Sequence, residues 1–292
     1  MFAAVPTPFD ENDEPAIDLF MEHCHWVLDN GCDGLNVLGS TGEANSQSGR
    51  SRAGLMRAVA QSSLADSALM VGTGTPSLHD TIDLTVLAAE SGFDAALVLP
   101  PYYYKPLSDD SLFNYFSRVI ASISKYDLGI YLYNFPQMCG VTFSTELVAR
   151  LLDAFPHHMK GMKDSSGDMT YTNTMTATFG DSFDVFPGSE RPLPDAGKFG
   201  YAGCISASVN ATAVLAAKVW RERDTVSDAE IDELRALRMS IESVQMVAAV
   251  KSLVSIRTGR DEWRRILPPL MELSGEDQQM IDAVADRLGL SR

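Results

Sequence analysis

The sequence predicts a (β/α)8 barrel followed by a helical extension, an α/β fold in which parallel strands alternate with helices. Three observations lead to this prediction. Short apolar, β-branched segments alternate with amphipathic ones, eight of each fit within about 220 residues, and glycine ends several of the helical runs. A doubly wound sheet is the alternative. It usually has fewer strands and often a Gly-x-Gly-x-x-Gly turn after the first one, which this sequence lacks.

The predicted strands are short apolar runs bounded by turn residues. They cover residues 2–5, 34–38, 69–72, 95–99, 129–133, 160–163, 183–186 and 203–206. Between them lie segments with apolar residues at helical spacing. These predicted helices cover residues 16–30, 49–64, 77–91, 108–125, 144–154, 170–179, 191–199 and 211–223. The barrel is therefore assigned to residues 1–223.

The remainder, residues 224–292, contains no strand candidate and is predicted to be a C-terminal helical extension. Helices are expected over residues 228–257, near 261–266 and over 276–289, with a break at Pro268-Pro269. No low-complexity linker precedes this part. We therefore expect it to pack against the barrel or against a neighbouring subunit.

Composition excludes several classes of partner. The chain has 292 residues, with 23 basic against 39 acidic residues and a net charge of −16, which argues against nucleic acid and anionic membrane surfaces. The sequence contains no apolar run long enough to span a membrane, and its first residues lack the basic region of a signal peptide. We expect a soluble, cytoplasmic protein.

Cysteine and histidine spacing predicts no disulfide framework and no metal site. The four cysteines are widely spread without a Cys-x-x-Cys pair, so reduced, mostly buried thiols are expected. The five histidines form no His-Glu-x-x-His string.

Lys163 ends the sixth predicted strand. Because side chains alternate along a strand, Lys163 shares a face with Gly161, which would leave room for a ligand, and opposes Met162. Catalytic groups of such barrels lie at the C-terminal ends of strands. An ordinary lysine is protonated at neutral pH, whereas burial in an apolar barrel favours the free amine that attacks a ketone. The alternative is a surface lysine or an ion-pair partner of Asp164 or Asp168.

Two other strand ends carry polar groups. After the second strand, Ser40 and Thr41 lie between glycines, and such a loop offers hydroxyl and backbone N–H groups to a carboxylate. Tyr133 ends the fifth strand and has the parity of Tyr131, so both are candidates to face inward. By itself, such a loop is a common turn, and a lone aromatic residue at a strand end is more often part of the core than a catalyst.

Taken together, five ordered motifs resemble the dihydrodipicolinate synthase/N-acetylneuraminate lyase family, and the similarity covers essentially the whole chain. The motifs are Gly-Ser-Thr-Gly-Glu at 39–43, Pro-Tyr-Tyr at 101–103, Tyr-Asn-x-Pro at 133–136, Gly-x-Lys-Asp-x-x-Gly-Asp at 161–168 and Gly-Cys-Ile-Ser at 203–206. The resemblance implies a pyruvate-dependent class I aldolase with the predicted barrel fold.

The resemblance also implies roles for individual residues. Lys163 matches the lysine that forms an imine with pyruvate, and Tyr133 matches the tyrosine that shuttles protons. Ser40 and Thr41 match the hydroxyl pair beside the keto-acid carboxylate, with Thr41 linked to Tyr133. Tyr103 matches a tyrosine lent to the neighbouring subunit's site, which implies a homotetramer built as a dimer of dimers. No metal or organic cofactor is implied, because the protonated imine itself stabilises the carbanion.

Further positions match the part of the site that holds the substrate. Gly188 and Ile205 match backbone positions near it, and Ser189, Glu190 and Arg191 lie in the stretch that grips its distal end. Glu190 and Arg191 would suit a polyhydroxylated, acidic tail, because a carboxylate accepts from hydroxyls and a guanidinium binds a carboxylate. The alternative for these two residues is a surface ion pair at the start of a helix.

The five motifs do not specify the substrate. Dihydrodipicolinate synthases carry an arginine for the carboxylate of aspartate semialdehyde where this chain has Met138, which cannot make that bidentate contact. The segments near Gln47 and at 205–208 are similar to neuraminate lyases and to aldolases of 2-keto-3-deoxy sugar acids. We therefore predict a lyase that cleaves or forms a 2-keto-3-deoxy sugar acid or sialic-acid-like substrate, giving pyruvate and an aldehyde.

Three alternatives remain. The first is a 4-hydroxy-tetrahydrodipicolinate synthase, and the second is a 2-keto-3-deoxy acid dehydratase that uses the same imine. The third is an inactive homologue that binds a keto acid. Retention of Lys163, Tyr133 and Thr41 together argues against the third, because a binding protein has no need of a nucleophilic amine.

Overall fold

Eight parallel strands form a nearly closed barrel in the computed structural model, which describes residues 1–290. The strands are β1 (Phe2–Ala4), β2 (Gly34–Val37), β3 (Ala68–Gly72), β4 (Ala95–Val98), β5 (Gly129–Asn134), β6 (Met159–Asp164), β7 (Asp184–Pro187) and β8 (Ile205–Ser206). Each strand from β1 to β6 pairs with the next one along the chain, and β1 also pairs with β8. Between β7 and β8, the N–H of Ala202 donates to the carbonyl of Val185 at 3.1 Å. The predicted (β/α)8 barrel is confirmed.

Helices connect the strands and then continue beyond them. They are α1 (Ile17–Asp29), α2 (Gly49–Ala60), α3 (Leu78–Glu90), α4 (Asp109–Ser122), α5 (Pro136–Cys139), α6 (Thr145–Ala154), α7 (Met169–Phe179), α8 (Ala196–Phe199), α9 (Val209–Arg221), α10 (Asp228–Glu242), α11 (Met246–Thr258) and α12 (Gly275–Arg287). Serine or aspartate caps several of them by accepting from a backbone N–H of the first turn, as Ser144 does from Leu147 at 3.0 Å. These caps fix the residue at which several of the βα loops end.

The extension packs on the barrel through its own apolar cluster. Ala207 and Ala211, next to β8 and in α9, contact buried residues of α10, α11 and α12. Burial of this cluster removes apolar surface from water and holds the last three helices against the barrel. Among residues 1–290, no single helix is long and apolar enough to cross a membrane, although α10 and α11 reach that length and composition when taken together across their 114° bend.

Three predicted helices differ from the structure, and the one expected near residues 261–266 is a 3-10 helix over Asp261–Arg264. The helix expected over residues 228–257 is two helices, because the chain turns after Glu242 and Gln245 starts a new helix by accepting from Ala248 N–H at 2.6 Å. The helix expected over residues 191–199 is a 3-10 turn at Leu193–Asp195 followed by α8. Pro192 and Pro194 explain this difference, because proline lacks the N–H that a regular helix requires.

A buried histidine joins the start of the chain to its end. His23 in α1 accepts at Nδ1 from Arg257 of α11 at 2.8 Å, so its Nε2 donates to Asn210 Oδ1 of α9 at 2.9 Å. Its ring also lies edge-on to Trp263, with centroids 5.1 Å apart. Burial, and then the charge of Arg257, lower the pKa of His23 to about 3, against the opposing hydrogen bond of Asn210. The neutral ring therefore links three helices.

The lowered pKa of His23 predicts a pH-dependent stability. The folded-state pKa lies below the ordinary value of 6.5, so the contribution is complete above pH 6.5 and is lost as the pH falls from there towards 3. In that window the free energy of unfolding should fall by about 1.4 kcal/mol per pH unit from this group. Denaturant unfolding of His23→Gln should lack this component of the slope. His25→Gln, on the exposed side of the same helix, is the matched control. An unchanged slope in His23→Gln would contradict the assignment.

Candidate active site

The pairing of β5 with β6 brings Tyr133 and Lys163 together. They occupy paired positions on the two strands, and the Lys163 Nζ lies 4.7 Å from the centroid of the Tyr133 ring. Tyr133 is 5% and Lys163 6% exposed. The register shifts at Ile130 and Tyr131, where β6 carries one extra residue, Lys160. Without this bulge Met162 would stand opposite Tyr133, because a one-residue slip turns each side chain to the other face.

The loop after β2 reaches across the barrel mouth to the same place. Ser40 Oγ lies 3.4 Å from the Tyr133 hydroxyl, although β2 and β5 are not neighbours in the barrel. Tyr133 therefore points inward, and so does Lys163 beside it. The expected link of Thr41 to Tyr133 is not present among the hydrogen bonds of residues 1–290. Thr41 is buried, and the hydroxyl that meets Tyr133 is that of Ser40.

Lys163 forms no ion pair within residues 1–290, which excludes for this conformation the pairing with Asp164 or Asp168. The Asp164 carboxylate is instead satisfied by four other donors: Asn134 Nδ2 at 2.8 Å, Ser166 N–H at 2.9 Å, Ser166 Oγ at 3.0 Å and Thr172 Oγ1 at 2.6 Å. These bonds hold the turn between β6 and α7 directly after the lysine. Lys163 is therefore a buried amine without a carboxylate partner on a rigid strand end.

Gly161 does not leave the space that was expected for a ligand. A Cβ built there would lie 2.2 Å from the Asp184 carbonyl and 2.6 Å from the Tyr131 ring. Neighbouring protein atoms therefore occupy this space. Gly188 has a similar constraint, because a Cβ there would lie 2.2 Å from Ser165 Oγ, and its N–H donates to the Asp164 carbonyl at 2.7 Å. Glycine at both positions allows strands and loops to approach closely.

Glu190 and Arg191 have different environments. Glu190 is fully buried and accepts from Ser206 Oγ and Ser208 Oγ, each at 2.6 Å, with Arg238 Nη1 at 3.6 Å. Its oxygens are thus occupied by the protein, contrary to the expected contact with substrate hydroxyls. Arg191 is partly exposed, and its Nη1 lies 3.1 Å from Glu242. The partner of Arg191 is therefore Glu242 and not Glu190.

The remaining predicted residues differ in how deeply they are buried. Ser189 is partly buried, and Ile205 in β8 is fully buried. Met138, on the short helix α5 that was not predicted, is 65% exposed. Tyr103 is 75% exposed in the loop after β4, where its ring stands edge-on to that of Tyr104. The exposed Tyr103 side chain is thus available for contact with a neighbouring subunit.

The two ends of the barrel differ in their cavities. A cavity of about 290 Å3 opens at the N-terminal end, where Ala68, Ala95 and Gly129 begin strands, and it includes neither Lys163 nor Tyr133. A narrow cleft at the C-terminal end is lined by Ser40 and Tyr133, among others. Active sites of (β/α)8 enzymes lie at the C-terminal end, so we place the candidate site at the smaller cleft.

Comparison with known proteins then identifies the family. The model of the dihydrodipicolinate synthetase family matches residues 1–288. The chain belongs to this family. Members are class I carbon–carbon lyases, and this chain is a lyase of that kind.

Relatives of the chain within the family carry different names. A DapA-like lyase of Chloroflexus aurantiacus is 28% identical over 99% of this chain and 96% of its own length. A 4-hydroxy-tetrahydrodipicolinate synthase of Thermus thermophilus is 33% identical over 70% of this chain and 67% of its own length.

Two crystal structures show the same fold. YagE, a prophage protein of the dihydrodipicolinic acid synthase family from E. coli K12 in complex with pyruvate, is 26% identical, with a TM-score of 0.88 over 99% of this chain and 98% of its own. Dihydrodipicolinate synthase from Agrobacterium tumefaciens is 33% identical, with a TM-score of 0.84 over 98% of each chain.

The buried pair of Glu190 and Arg238 gives a test of this part of the site. Arg238→Met would leave the Glu190 carboxylate buried without its compensating charge, which costs about 3–5 kcal/mol of unfolding free energy. Urea unfolding measures this loss. Arg287→Met is the matched control, because Arg287 belongs to the same extension and pairs with Glu233 at the surface. Its loss should be about 0–1 kcal/mol. Equal losses in the two variants would refute the buried-pair interpretation.

Proposed function

We propose that Lys163 forms an imine with the C2 carbonyl of a 2-keto acid and that the substrate is a 2-keto-3-deoxy sugar acid or a sialic-acid-like acid. The observation that carries this proposal is the buried Lys163 amine against the ring of Tyr133, with no carboxylate partner among residues 1–290. Addition to a carbonyl requires an amine held at a defined position, and this strand end holds one beside a phenol that can transfer protons. The pyruvate bound in the E. coli relative supports a keto acid as the substrate.

The proposed chemistry proceeds in balanced steps. The amine adds to C2, and water leaves with a proton donated by Tyr133, giving a protonated imine and a phenolate. The bond between C3 and C4 then breaks, its electrons move into the imine to form an enamine, and the C4 hydroxyl loses its proton as the aldehyde forms. Protonation of C3 gives the imine of pyruvate, and water releases pyruvate from Lys163. The Tyr133 phenolate accepts the proton of the C4 hydroxyl, the phenol returns it to C3, and the phenolate is reprotonated when water releases pyruvate.

The remaining residues receive roles by position. The Ser40 and Thr41 loop would hold the substrate carboxylate, because Ser40 meets Tyr133 beside Lys163. Ser189 and Arg191 are the partly exposed residues next to Gly188 and would contact the distal end of the substrate. Glu190 would act indirectly, by fixing this loop to Ser206 and Ser208. The exposed Tyr103 would complete the site of a neighbouring subunit in a homotetramer.

A synthase that condenses pyruvate with aspartate semialdehyde is the second candidate. Two relatives that are each 33% identical to this chain favour it. They are the 4-hydroxy-tetrahydrodipicolinate synthase of Thermus thermophilus and the dihydrodipicolinate synthase of Agrobacterium tumefaciens. Met138 argues against it, because its exposed thioether offers no charge for the second carboxylate.

Borohydride trapping tests the imine. The protein incubated with pyruvate and reduced should carry a covalent adduct on the peptide that contains Lys163, as detected by mass spectrometry. Lys163→Ala should lose the adduct. Lys160→Ala, a change on the same strand at its exposed N-terminal end, should keep it. If the Lys163 peptide stays unlabelled under conditions that label a known relative, Lys163 is not the imine-forming residue.

Tyrosine variants test the role of Tyr133 in proton transfer. Tyr133→Phe should lower kcat by roughly 10²–10⁴-fold, because a positioned acid–base group contributes about that factor. The Tyr131→Phe variant is the control, because Tyr131 lies on the same strand and donates to Asp184 at 2.7 Å, away from the candidate site. Equal turnover in Tyr133→Phe and the unaltered protein would contradict the role of Tyr133.

A substrate panel distinguishes the two candidate functions. Sialic acid, several 2-keto-3-deoxy acids, and pyruvate with aspartate semialdehyde should be compared by kcat/KM. We expect turnover with a sugar-derived acid and none with the semialdehyde. Met138→Arg alone should still show no condensation, because a guanidinium binds two oxygens only when its surroundings orient it. Measurable condensation in this variant would overturn that expectation.

A further inference from the structure

A fully buried ion pair ties the C-terminal extension to the loop that carries Ser40 and Thr41. Lys251 of α11 donates from Nζ to Glu43 Oε1 at 2.6 Å, and neither side chain is exposed. Glu43 Oε2 accepts from the Leu267 N–H at 2.7 Å, and the Lys251 ammonium lies 4.4 Å from the centre of the Phe9 ring. One carboxylate thus joins the loop after β2 to two separate segments of the extension.

The backbone of this loop is held in an uncommon shape. Leu38 and Glu43, at the two ends of the turn, both have a φ of 55°, in the left-handed region that non-glycine residues rarely adopt. Within the turn, the Glu43 N–H donates to the Ser40 carbonyl at 3.1 Å. Such conformations persist when surrounding contacts over-determine them, and they cluster at functional sites. The side-chain bonds of Glu43 are contacts of this kind, placed two residues after Thr41.

The Glu43–Lys251 pair defines the position of the loop more than it stabilises the fold. Burial raises the pKa of the Glu43 carboxyl, and the charge of Lys251 partly offsets this rise. Burial likewise lowers the pKa of the Lys251 ammonium, and the charge of Glu43 partly offsets this fall. Removing two charges from water offsets much of their attraction, so a buried pair is weak evidence for stability. Its directional bonds, in contrast, define where the loop lies relative to α11. Through Ser40, that position sets the contact with Tyr133 beside Lys163.

We infer that Lys251, together with Glu43, is a positioning residue for the lyase: the extension holds the Ser40 and Thr41 loop in its binding geometry from outside the barrel. This inference rests on the proposed role of that loop in binding the keto-acid carboxylate. The helix α11 then supports the binding loop of the site, although none of its residues is placed at the reacting atoms.

The test uses three variants: Lys251→Met, Glu43→Gln, and the double variant Glu43→Gln/Lys251→Met. Lys251→Met alone strands a buried carboxylate and lowers thermal stability, so the double variant is decisive because it removes both charges. We expect the thermal stability of the double variant to recover towards that of the unaltered protein. The pyruvate concentration that gives half-maximal borohydride trapping on Lys163 should nevertheless rise about tenfold, with full trapping at saturation, since a small misplacement of a binding group weakens binding on this scale.

Hydrogen exchange of the peptide covering residues 38–47 provides a readout that needs no activity. Its amides should exchange about tenfold faster in the double variant, because local opening is no longer opposed by the pair. Lys218→Met is the matched control. Lys218 pairs with Glu230 of α10 at the surface and touches no loop of the site, so both readouts should stay unchanged.

The outcomes separate the two proposals. Exchange and half-saturation in the double variant that match the unaltered protein would overturn the positioning role. Recovery of both readouts in parallel with thermal stability would also overturn it, because the pair would then contribute stability alone. If the unaltered protein is not trapped at all, the imine assignment fails, and the exchange data still decide whether Lys251 holds the loop.

Discussion

The register of β6 against β5 is the constraint on which the rest of the site depends. One extra residue, Lys160, shifts the pairing so that Lys163 stands opposite Tyr133. In the unshifted register an apolar methionine would take that place and the lysine would turn towards the helices. The hydrogen bonds of Asp164 to Asn134, Ser166 and Thr172 then fix the strand end and the following turn. A nucleophilic amine is useful only when its position is defined to a fraction of an ångström, and this pairing supplies that definition.

The C-terminal extension supports the barrel by charge as well as by apolar packing. Arg238 of α10 reaches the Glu190 carboxylate and the hydroxyls of Ser206 and Ser208, while Lys251 of α11 reaches Glu43. Each basic residue meets a glutamate in a loop that follows a different strand. These are long-range contacts between the last helices and opposite parts of the barrel mouth. Loops between strands and helices are otherwise the mobile part of this architecture, so anchoring two of them limits the conformations of the site.

Much of the fold was predictable from the sequence because the barrel is built from local patterns. All eight strands and the helices joining them appeared as runs with period two or with helical spacing, and their observed ends differ by only a few residues. The errors have local causes. The apolar periodicity of residues 228–257 continues through a bend of 114°, and Pro192 and Pro194 shorten the helix before β8. The four-residue helix α5 was missed because it is too short to show a period.

The sequence by itself determined the order of strands and helices, the family, and the presence of Lys163 and Tyr133 at the ends of two strands, because these follow from short-range patterns and ordered motifs. Only the tertiary structure decided which side chains meet. Ser40 rather than Thr41 contacts Tyr133, Glu190 lies buried among hydroxyls, and Lys251 binds Glu43 across 208 positions of the chain. No local pattern specifies such contacts, because they depend on how the closed barrel and the extension pack together.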